Sequence, residues 1–295
     1  MIIVCIPAYN EEDIISEIVK KSLNYVDKVI VCDDGSDDNT SLKAKQAGAL
    51  VLNHEKNLGK GAALHTLFQQ SKKLDADVMV SIDGDGQFLP EEIPKLIEPV
   101  LKENYDVVIG YRFNEKEIPN YRKLGNKALN KITNIASDLP FRDTQSGFRA
   151  YSKKALKQIN FLSRGFGADS EILIDASKKG LSITEKKVTV KYDTGGKTST
   201  KDPITHSSGD VVSLLEIIAI ENPLRYLGIP GIILFILGIT YSVVVITIFN
   251  DTRYFSVPST LVSLGSLMLG MMLILVSVVL YAIKKAFLKK NSKTL

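Results

Sequence analysis

The 295-residue chain has two cysteines, three histidines and no tryptophan, and its formal net charge is only +4. Cys5 and Cys32 lie in apolar runs without a partner at metal-ligand spacing, so a reduced, buried, structural role is expected of both. His54, His65 and His206 show neither ligand spacing nor a nucleophile partner, and are read as structural. The charge excess is small and no basic stripe is interleaved with aromatics, so nucleic acid is not an expected partner. Repeats and low-complexity tracts are missing. No basic leader precedes "MIIVCIPAYN", which enters a strand at once, so no signal peptide is expected.

Charge is absent from two long stretches, "LGIPGIILFILGITYSVVVITIF" (227–249) and "VPSTLVSLGSLMLGMMLILVSVVLYAI" (257–283). Each exceeds the roughly 20 residues that cross a bilayer core at about 1.5 Å per residue. Only "NDTRYFS" joins them, so a helical hairpin with both ends on one side is expected. The tail over 284–295 carries five lysines, against one Asp and one Arg in the connecting loop. The positive-inside rule then puts the tail and the N-terminal domain on the cytoplasmic side of a cell or ER-type membrane, with the lipid bilayer as a partner. The helices also offer a surface for a homo-oligomer. Residues 206–226, apolar but interrupted by Ser213, Glu216 and Glu221, read as an interfacial helix.

Before residue 205 the pattern alternates strand and helix. "MIIVCI", "KVIVCD", "ALVLN", "DVMVSID" and "YDVVIG" are apolar strand runs, with helices expected near Ile14, Ser36, Gly61 and Pro90, and "KKVTVKY" (186–192) reads as a later strand. Such alternation predicts an α/β fold with a mostly parallel, Rossmann-like sheet, whose ligands bind beyond the carboxyl ends of the strands. Those ends carry, in order, "PAYNEE", "DDGSDDNT", "NLGKGAAL", "DGDGQ" and "GYR". Every polar or glycine-rich cluster falls on one edge of the sheet, where chance would scatter them over both.

Asp83, Asp85 and Gln87 stand at i, i+2 and i+4, so an extended chain presents two carboxylates and an amide oxygen on one side. Hard divalent cations take such oxygens, and Mg²⁺ shares substrate phosphates. The glycines between them let the backbone turn and leave room for a ligand. An EF-hand fails here, because its sixth position would be Phe88 and its twelfth Pro94. Asp33 and Asp34 can accept hydrogen bonds from a ribose or base, while Asp37 to Thr40 are turn and cap residues. "NLGKGAAL" lacks the P-loop order and resembles a glycine-rich helix entry; Lys60 in it reads as a phosphate contact or, with more weight, a surface lysine. Arg112 and Arg149 suit phosphate oxygens. Asp169 and Glu171 are what a helix start favours.

These clusters, with "DTQSGFRAY" and "GFGADSEI", stand in the order seen in family 2 glycosyltransferases of the GT-A fold. The pattern most resembles the dolichyl- and polyprenyl-phosphate sugar synthases, such as the dolichol-phosphate mannose synthases, over about residues 1–205. The resemblance implies a GT-A catalytic domain over 1–205 and inverting transfer of a hexose from a nucleotide sugar to dolichyl or polyprenyl phosphate. It places Pro7, Tyr9, Glu11, Asp33, Asp34 and Asp83 around the nucleotide. Asp83, Asp85 and Gln87 would hold Mg²⁺ or Mn²⁺, and Asp85, Arg112 and Arg149 would be catalytic. Gln145, Ser146 and Gly147 would border sugar and acceptor, with Arg122 and Lys123 near the acceptor phosphate. GDP-mannose is the favoured donor, with UDP-glucose or UDP-N-acetylglucosamine as the alternative.

Other classes fare worse. A processive polysaccharide synthase would carry a Gln-x-x-Arg-Trp motif, and the chain has no tryptophan. A haloacid-dehalogenase-like phosphatase needs downstream motifs that are missing. A catalytically silent membrane scaffold would be expected to have lost a metal carboxylate, yet Asp83 and Asp85 both remain.

Overall fold

In the computed structural model, which describes residues 1–112, 130, 133, 134, 137, 139–161, 167–191 and 223–291, the apolar runs join into one sheet. Seven strands form it among the described residues: β1 (Ile2–Ala8), β2 (Lys28–Asp33), β3 (Leu50–Asn53), β4 (Val78–Ser81), β5 (Val107–Arg112), β6 (Arg149–Ser152) and β7 (Ile183–Val188). Their order is β3-β2-β1-β4-β6-β5-β7. β6 runs antiparallel to both β4 and β5, and the other pairings are parallel. This is the mixed, mostly parallel α/β sheet that the alternation predicts.

Side chains alternate across the pleat, and both faces are apolar, so each strand feeds two cores. Ile3, Cys5, Ile30, Cys32, Met79, Val107, Ile109 and Tyr151 point to one side. Helices α3 (Lys60–Lys73), α5 (Lys153–Gln158) and α6 (Ala168–Lys178) cover that side through Leu64, Leu67, Phe68, Leu156, Ile172 and Leu173. Val4, Ile6, Val29, Val31, Val78, Val80, Val108 and Ala150 face the other. There α1 (Ile15–Ser22), α2 (Thr40–Gln46) and α4 (Ile93–Lys102) supply Ile15, Ile18, Val19, Ala44, Leu96 and Ile97. The buried Cys5 and Cys32 thiols are both pushed up to about 12, Cys5 by burial and Cys32 by burial first and then by the Asp34 and Asp33 charges. They are packing groups, as expected.

Two strands differ from expectation. β6 was not foreseen, because "RAYS" is short and opens on an arginine, whereas buried strands normally read as apolar runs. The strand expected over 186–192 begins earlier, at Ile183, and leaves β5 after Val188. There Glu92 accepts the Thr189 N–H at 2.9 Å, and Lys191 N–H donates to Gln87 at 2.9 Å, drawing the chain toward the end of β4.

The chain forms two compact units, Met1–Leu214 and Leu215–Leu295. In the second, a π-helical turn (Leu224–Gly228) leads into α7 (Ile229–Thr252), followed by α8 (Val257–Asn291). The stretches Leu224–Thr252 and Val257–Ile283 are long and apolar enough to cross a membrane, and most of their apolar side chains are exposed. The two helices meet through small residues: a Cβ on Gly270 would lie 2.6 Å from the Phe235 nitrogen, and one on Gly238 2.8 Å from that of Leu267. Close backbone approach of this kind is how helices associate in lipid. The two helices suit membrane association. Of the interfacial helix expected over 206–226, all but residues 223–226 lies outside the described residues.

Asp106, at the foot of β5, ties three strands together. It accepts hydrogen bonds from Ser182 N (3.0 Å), Ser182 Oγ (3.1 Å), Ser152 Oγ (3.1 Å) and Lys154 Nζ (2.9 Å). Burial opposes its charge, but these donors outweigh it and hold the carboxyl below its ordinary value. Its contribution is therefore complete above the unfolded-chain pKa near about 4 and is lost as pH falls through the lower folded value. Asp106→Asn is expected to cost about 1–3 kcal/mol in urea unfolding at pH 7. The difference from wild type should shrink below about pH 4.

Candidate active site

The carboxyl ends of β1, β2, β4 and β5 bring the expected clusters to one edge. Register sets their level: Ala8 pairs with Asp33, and the β1–β4 ladder stops at Cys5 and Ser81, so Pro7 lies beyond it. After β4 the chain turns through Asp83-Gly84-Asp85-Gly86. Asp85 Oδ1 accepts the Gln87 N–H at 3.0 Å, which closes the turn on its own carboxylate. Gly86 has φ +73, and a Cβ there would lie 2.8 Å from Ile14 of the α1 entry. A Cβ on Gly84 would lie 3.1 Å from the Pro7 carbonyl. These glycines therefore serve close packing on the protein's own chain, where the sequence suggested space for a ligand.

The loop from Asp143 to Phe148, between β5 and β6, is the second wall. Ser146 Oγ donates to the Gly110 carbonyl at 2.6 Å, and Ser81 Oγ donates to the Gly147 carbonyl at 2.8 Å. These two bonds press the loop against the ends of β5 and β4. Gly147 then packs against Asp83 so closely that a Cβ would overlap both carboxylate oxygens. Gln145 Nε2 donates to Ser170 Oγ at 2.8 Å, tying the loop to the first turn of α6. Arg112, at the end of β5, grips Asp143 with two bonds, Nε to Oδ2 at 2.6 Å and an Nη to Oδ1 at 2.9 Å.

Lys60 is the largest departure from the sequence reading. It is no surface lysine: its Nζ lies 2.8 Å from Asp83 Oδ1 and 3.0 Å from Asp169 Oδ2. Burial lowers its pKa, but the Asp169 and Asp83 charges outweigh this and raise it. Asp169 in turn lies 3.8 Å from the guanidinium of Arg149. Asp143, Lys60 and Asp169 thus join the site without having been singled out for it. The signal for the first two was their place within the glycine-bearing clusters at the strand edge.

Arg149, expected to be catalytic, lies beneath the loop. Its side chain is fully buried, with one Nη donating to the Asp169 carbonyl at 2.7 Å and the other to the Thr144 carbonyl at 2.7 Å. A guanidinium so placed holds the loop and α6 together. Asp33 and Asp34 are likewise buried and bonded within the protein. Asp33 Oδ1 accepts the Ser36 N–H at 3.0 Å. Asp34 accepts N–H bonds from Leu58 at 3.1 Å and Gly59 at 2.7 Å, and its Oδ1 lies 2.6 Å from His54 Nδ1. His54 Nε2 sits 2.9 Å from the Thr66 hydroxyl, a structural role as expected. Tyr9 is exposed and Glu11 half-buried. Arg122 and Lys123 lie outside the described residues.

The donor set fits a hard divalent cation. Asp85 is pushed up to about 6, by burial first and then by the charge of Asp83. Glu11 is pushed up to about 7, by burial and then by Asp85, Asp38 and Asp83. Buried carboxylates that also crowd one another are groups that a cation would relieve. Among the described residues there is no cluster of three or more His, Cys, Asp or Glu at ligand geometry. Two carboxylates and the Gln87 amide would leave the remaining positions to water and phosphate, as Mg²⁺ sites commonly do.

Residues 3–159 match the model of glycosyl transferase family 2. The chain is 35% identical over 216 residues to a UDP-N-acetylglucosamine–dolichyl-phosphate N-acetylglucosaminyltransferase of Methanococcus voltae, covering 65% of this chain and 86% of the relative. It is 34% identical over 189 residues to a dolichol-phosphate mannosyltransferase of Pyrococcus furiosus, covering 58% of this chain and 51% of the relative. Its fold is similar to that of glucosyl-3-phosphoglycerate synthase from Mycobacterium tuberculosis, solved with Mn²⁺, UDP and phosphoglyceric acid. The TM-score is 0.58 at 23% identity, over 73% of this chain and 78% of that one.

Gly147→Ala is expected to drive the Asp83 carboxylate from its seat. Mn²⁺ affinity, measured with a nucleoside diphosphate present, should fall about tenfold or more with the far-UV circular dichroism spectrum unchanged.

Proposed function

Because this chain belongs to glycosyl transferase family 2, we propose that it is a membrane-anchored hexosyltransferase. Its donor is a nucleotide sugar and its acceptor the phosphate of a polyprenol, dolichol-type lipids included. The observation that carries this reading is the crowded Asp83–Asp85 pair, walled by the 143–148 loop, in a chain that also has two exposed apolar helices. Relatives named for transfer to dolichyl phosphate support the same general reaction.

Asp83, Asp85 and Gln87 would hold Mg²⁺ or Mn²⁺. When bound, the metal supplies positive charge against the diphosphate that departs. Arg112, preset by Asp143, adds a guanidinium at the same edge. Pro7, Tyr9 and Glu11 lie along the β1 end where the nucleotide is expected. Asp33 and Asp34 serve it by shaping the loops that they hold. Gln145, Ser146 and Gly147 form the sugar-side wall, and Arg122 with Lys123 are assigned to the acceptor phosphate.

In the reaction an acceptor phosphate oxygen bonds to the anomeric carbon as the bond from that carbon to the nucleoside diphosphate breaks. Direct displacement gives inversion. A lipid phosphate is already ionised at neutral pH, so no proton need be removed before attack. Asp169, set between Lys60 and Arg149, serves this site as an ion-pair partner. The protein's work is then positioning and electrostatic stabilisation. The five lysines of the 284–295 tail support a cytoplasmic site for the tail and the catalytic domain. Anchoring holds enzyme and lipid acceptor in one layer and raises their effective concentration.

GDP-mannose is the first donor in this reading, in line with the mannosyl relative. UDP-N-acetylglucosamine is the second, favoured by the greater share of the Methanococcus voltae relative that the chain spans. Membranes containing the protein, given polyprenyl phosphate, Mg²⁺ or Mn²⁺ and each labelled nucleotide sugar in turn, should yield a charged lipid with one donor. If no donor does so, the proposal fails. Asp85→Ala should lower the productive rate at least about 100-fold while leaving the fold intact.

A further inference from the structure

The lysine that opens α3 stands inside the acidic site. Lys60 follows Gly59, whose N–H is held by buried Asp34, so the start of the helix cannot drift away from the strand edge. Its ammonium lies between Asp83 Oδ1 at 2.8 Å and Asp169 Oδ2 at 3.0 Å. Asp169 has a second cation beside it, the guanidinium of Arg149 at 3.8 Å. Asp83 is confined on another flank by the bare α-carbon of Gly147. The carboxylate of Asp83 therefore has one cation already and little freedom to turn.

We propose that Lys60 is an internal counter-ion that keeps the Asp83–Asp85 pair from holding a divalent cation alone, so that metal enters the site with the donor's diphosphate. The inference rests on the metal reading of Asp83 and Asp85. An all-protein magnesium or manganese site gathers several uncompensated carboxylates, and each additional one strengthens its hold. Here the ammonium cancels one of the two, and a bare cation must compete with it for the same oxygen at short range. Coulomb attraction over a few ångströms in a partly dry pocket is large enough to matter by orders of magnitude in affinity. A nucleoside diphosphate changes the balance, because it brings its own negative oxygens and can offer a second partner to the ammonium.

Two consequences follow for the reaction. The empty enzyme does not accumulate bound metal that would have to be displaced to admit a donor already complexed with metal. After transfer, the nucleoside diphosphate and the cation leave together, which returns Lys60 to Asp83 and resets the site. Lys60 acts here as a positioning residue, working through Asp83 on the cation.

The test is Mn²⁺ binding by the full-length protein in detergent micelles, followed by the electron paramagnetic resonance signal of free Mn²⁺, without nucleotide and then with GDP or UDP. Wild type should bind bare Mn²⁺ weakly and gain at least about tenfold with a nucleoside diphosphate. Lys60→Met should bind bare Mn²⁺ at least about tenfold more tightly than wild type and lose most of its dependence on nucleotide. Lys60→Gln, which keeps hydrogen bonding but not charge, should behave the same way and serves if the methionine variant does not fold. Lys60→Arg should resemble wild type. A merely structural lysine would make affinity fall on substitution, so a gain separates the two roles. The proposal is overturned if the folded neutral variants bind bare Mn²⁺ no more tightly than wild type while Asp85→Ala has lost the metal. If Asp85→Ala binds Mn²⁺ as wild type does, the metal reading itself fails, and this inference with it.

Discussion

Acidic side chains can be packed together at the end of a strand only if something balances their charge, and that constraint organises the ligand edge of this sheet. Each carboxylate meets it differently. Asp33 and Asp34 accept backbone N–H groups from the loops beside them. Asp143 takes a two-pronged grip from Arg112. Asp169 is set between Lys60 and Arg149, and Asp83 leans on Lys60. Asp85 and Glu11 resist ionisation, through burial first and then through the charges of the carboxylates beside them. The site is thus a set of paired charges beside two carboxylates that resist ionisation.

The balance depends on one reversed strand. β6 lies antiparallel between β4 and β5, so the chain entering it must pass across their carboxyl ends. That passage is the 143–148 loop, pinned by the Ser81 and Ser146 hydroxyls. The first residue of β6, Arg149, is buried beneath it and bonds the carbonyls of Thr144 and Asp169. A strand that begins on an arginine looks wrong by composition. In place, the guanidinium donates to two backbone carbonyls and so joins the loop to the helix.

The catalytic part is a glycosyltransferase of a widely used α/β design, and the C-terminal part is a pair of apolar helices. Fold alone does not choose a substrate, since activity resides in side chains set at strand ends. A structural neighbour solved with phosphoglyceric acid has a similar fold, yet the chain is more alike in sequence to a dolichyl-phosphate enzyme. An acceptor whose phosphate sits at a membrane surface gives the two apolar helices a purpose that a small soluble acceptor would not.

The sequence by itself determined the layered sheet, the two apolar helices and the edge on which the site would form. Those follow from continuous apolar strand runs, helix spacing and the absence of charge, all of which are local. Asp83, Asp85 and Gln87 stand out in the sequence because one short stretch carries them all. What needed the tertiary structure was the pairing of charges distant along the chain. Lys60 meets Asp83 and Asp169 across 23 and 109 residues, and no local pattern separates such a lysine from one on the surface. The same holds for Arg149, which suits a phosphate by chemistry but is turned inward by the reversed strand on which it lies. Ionic interactions depend on distance and burial, and only the folded chain decides either.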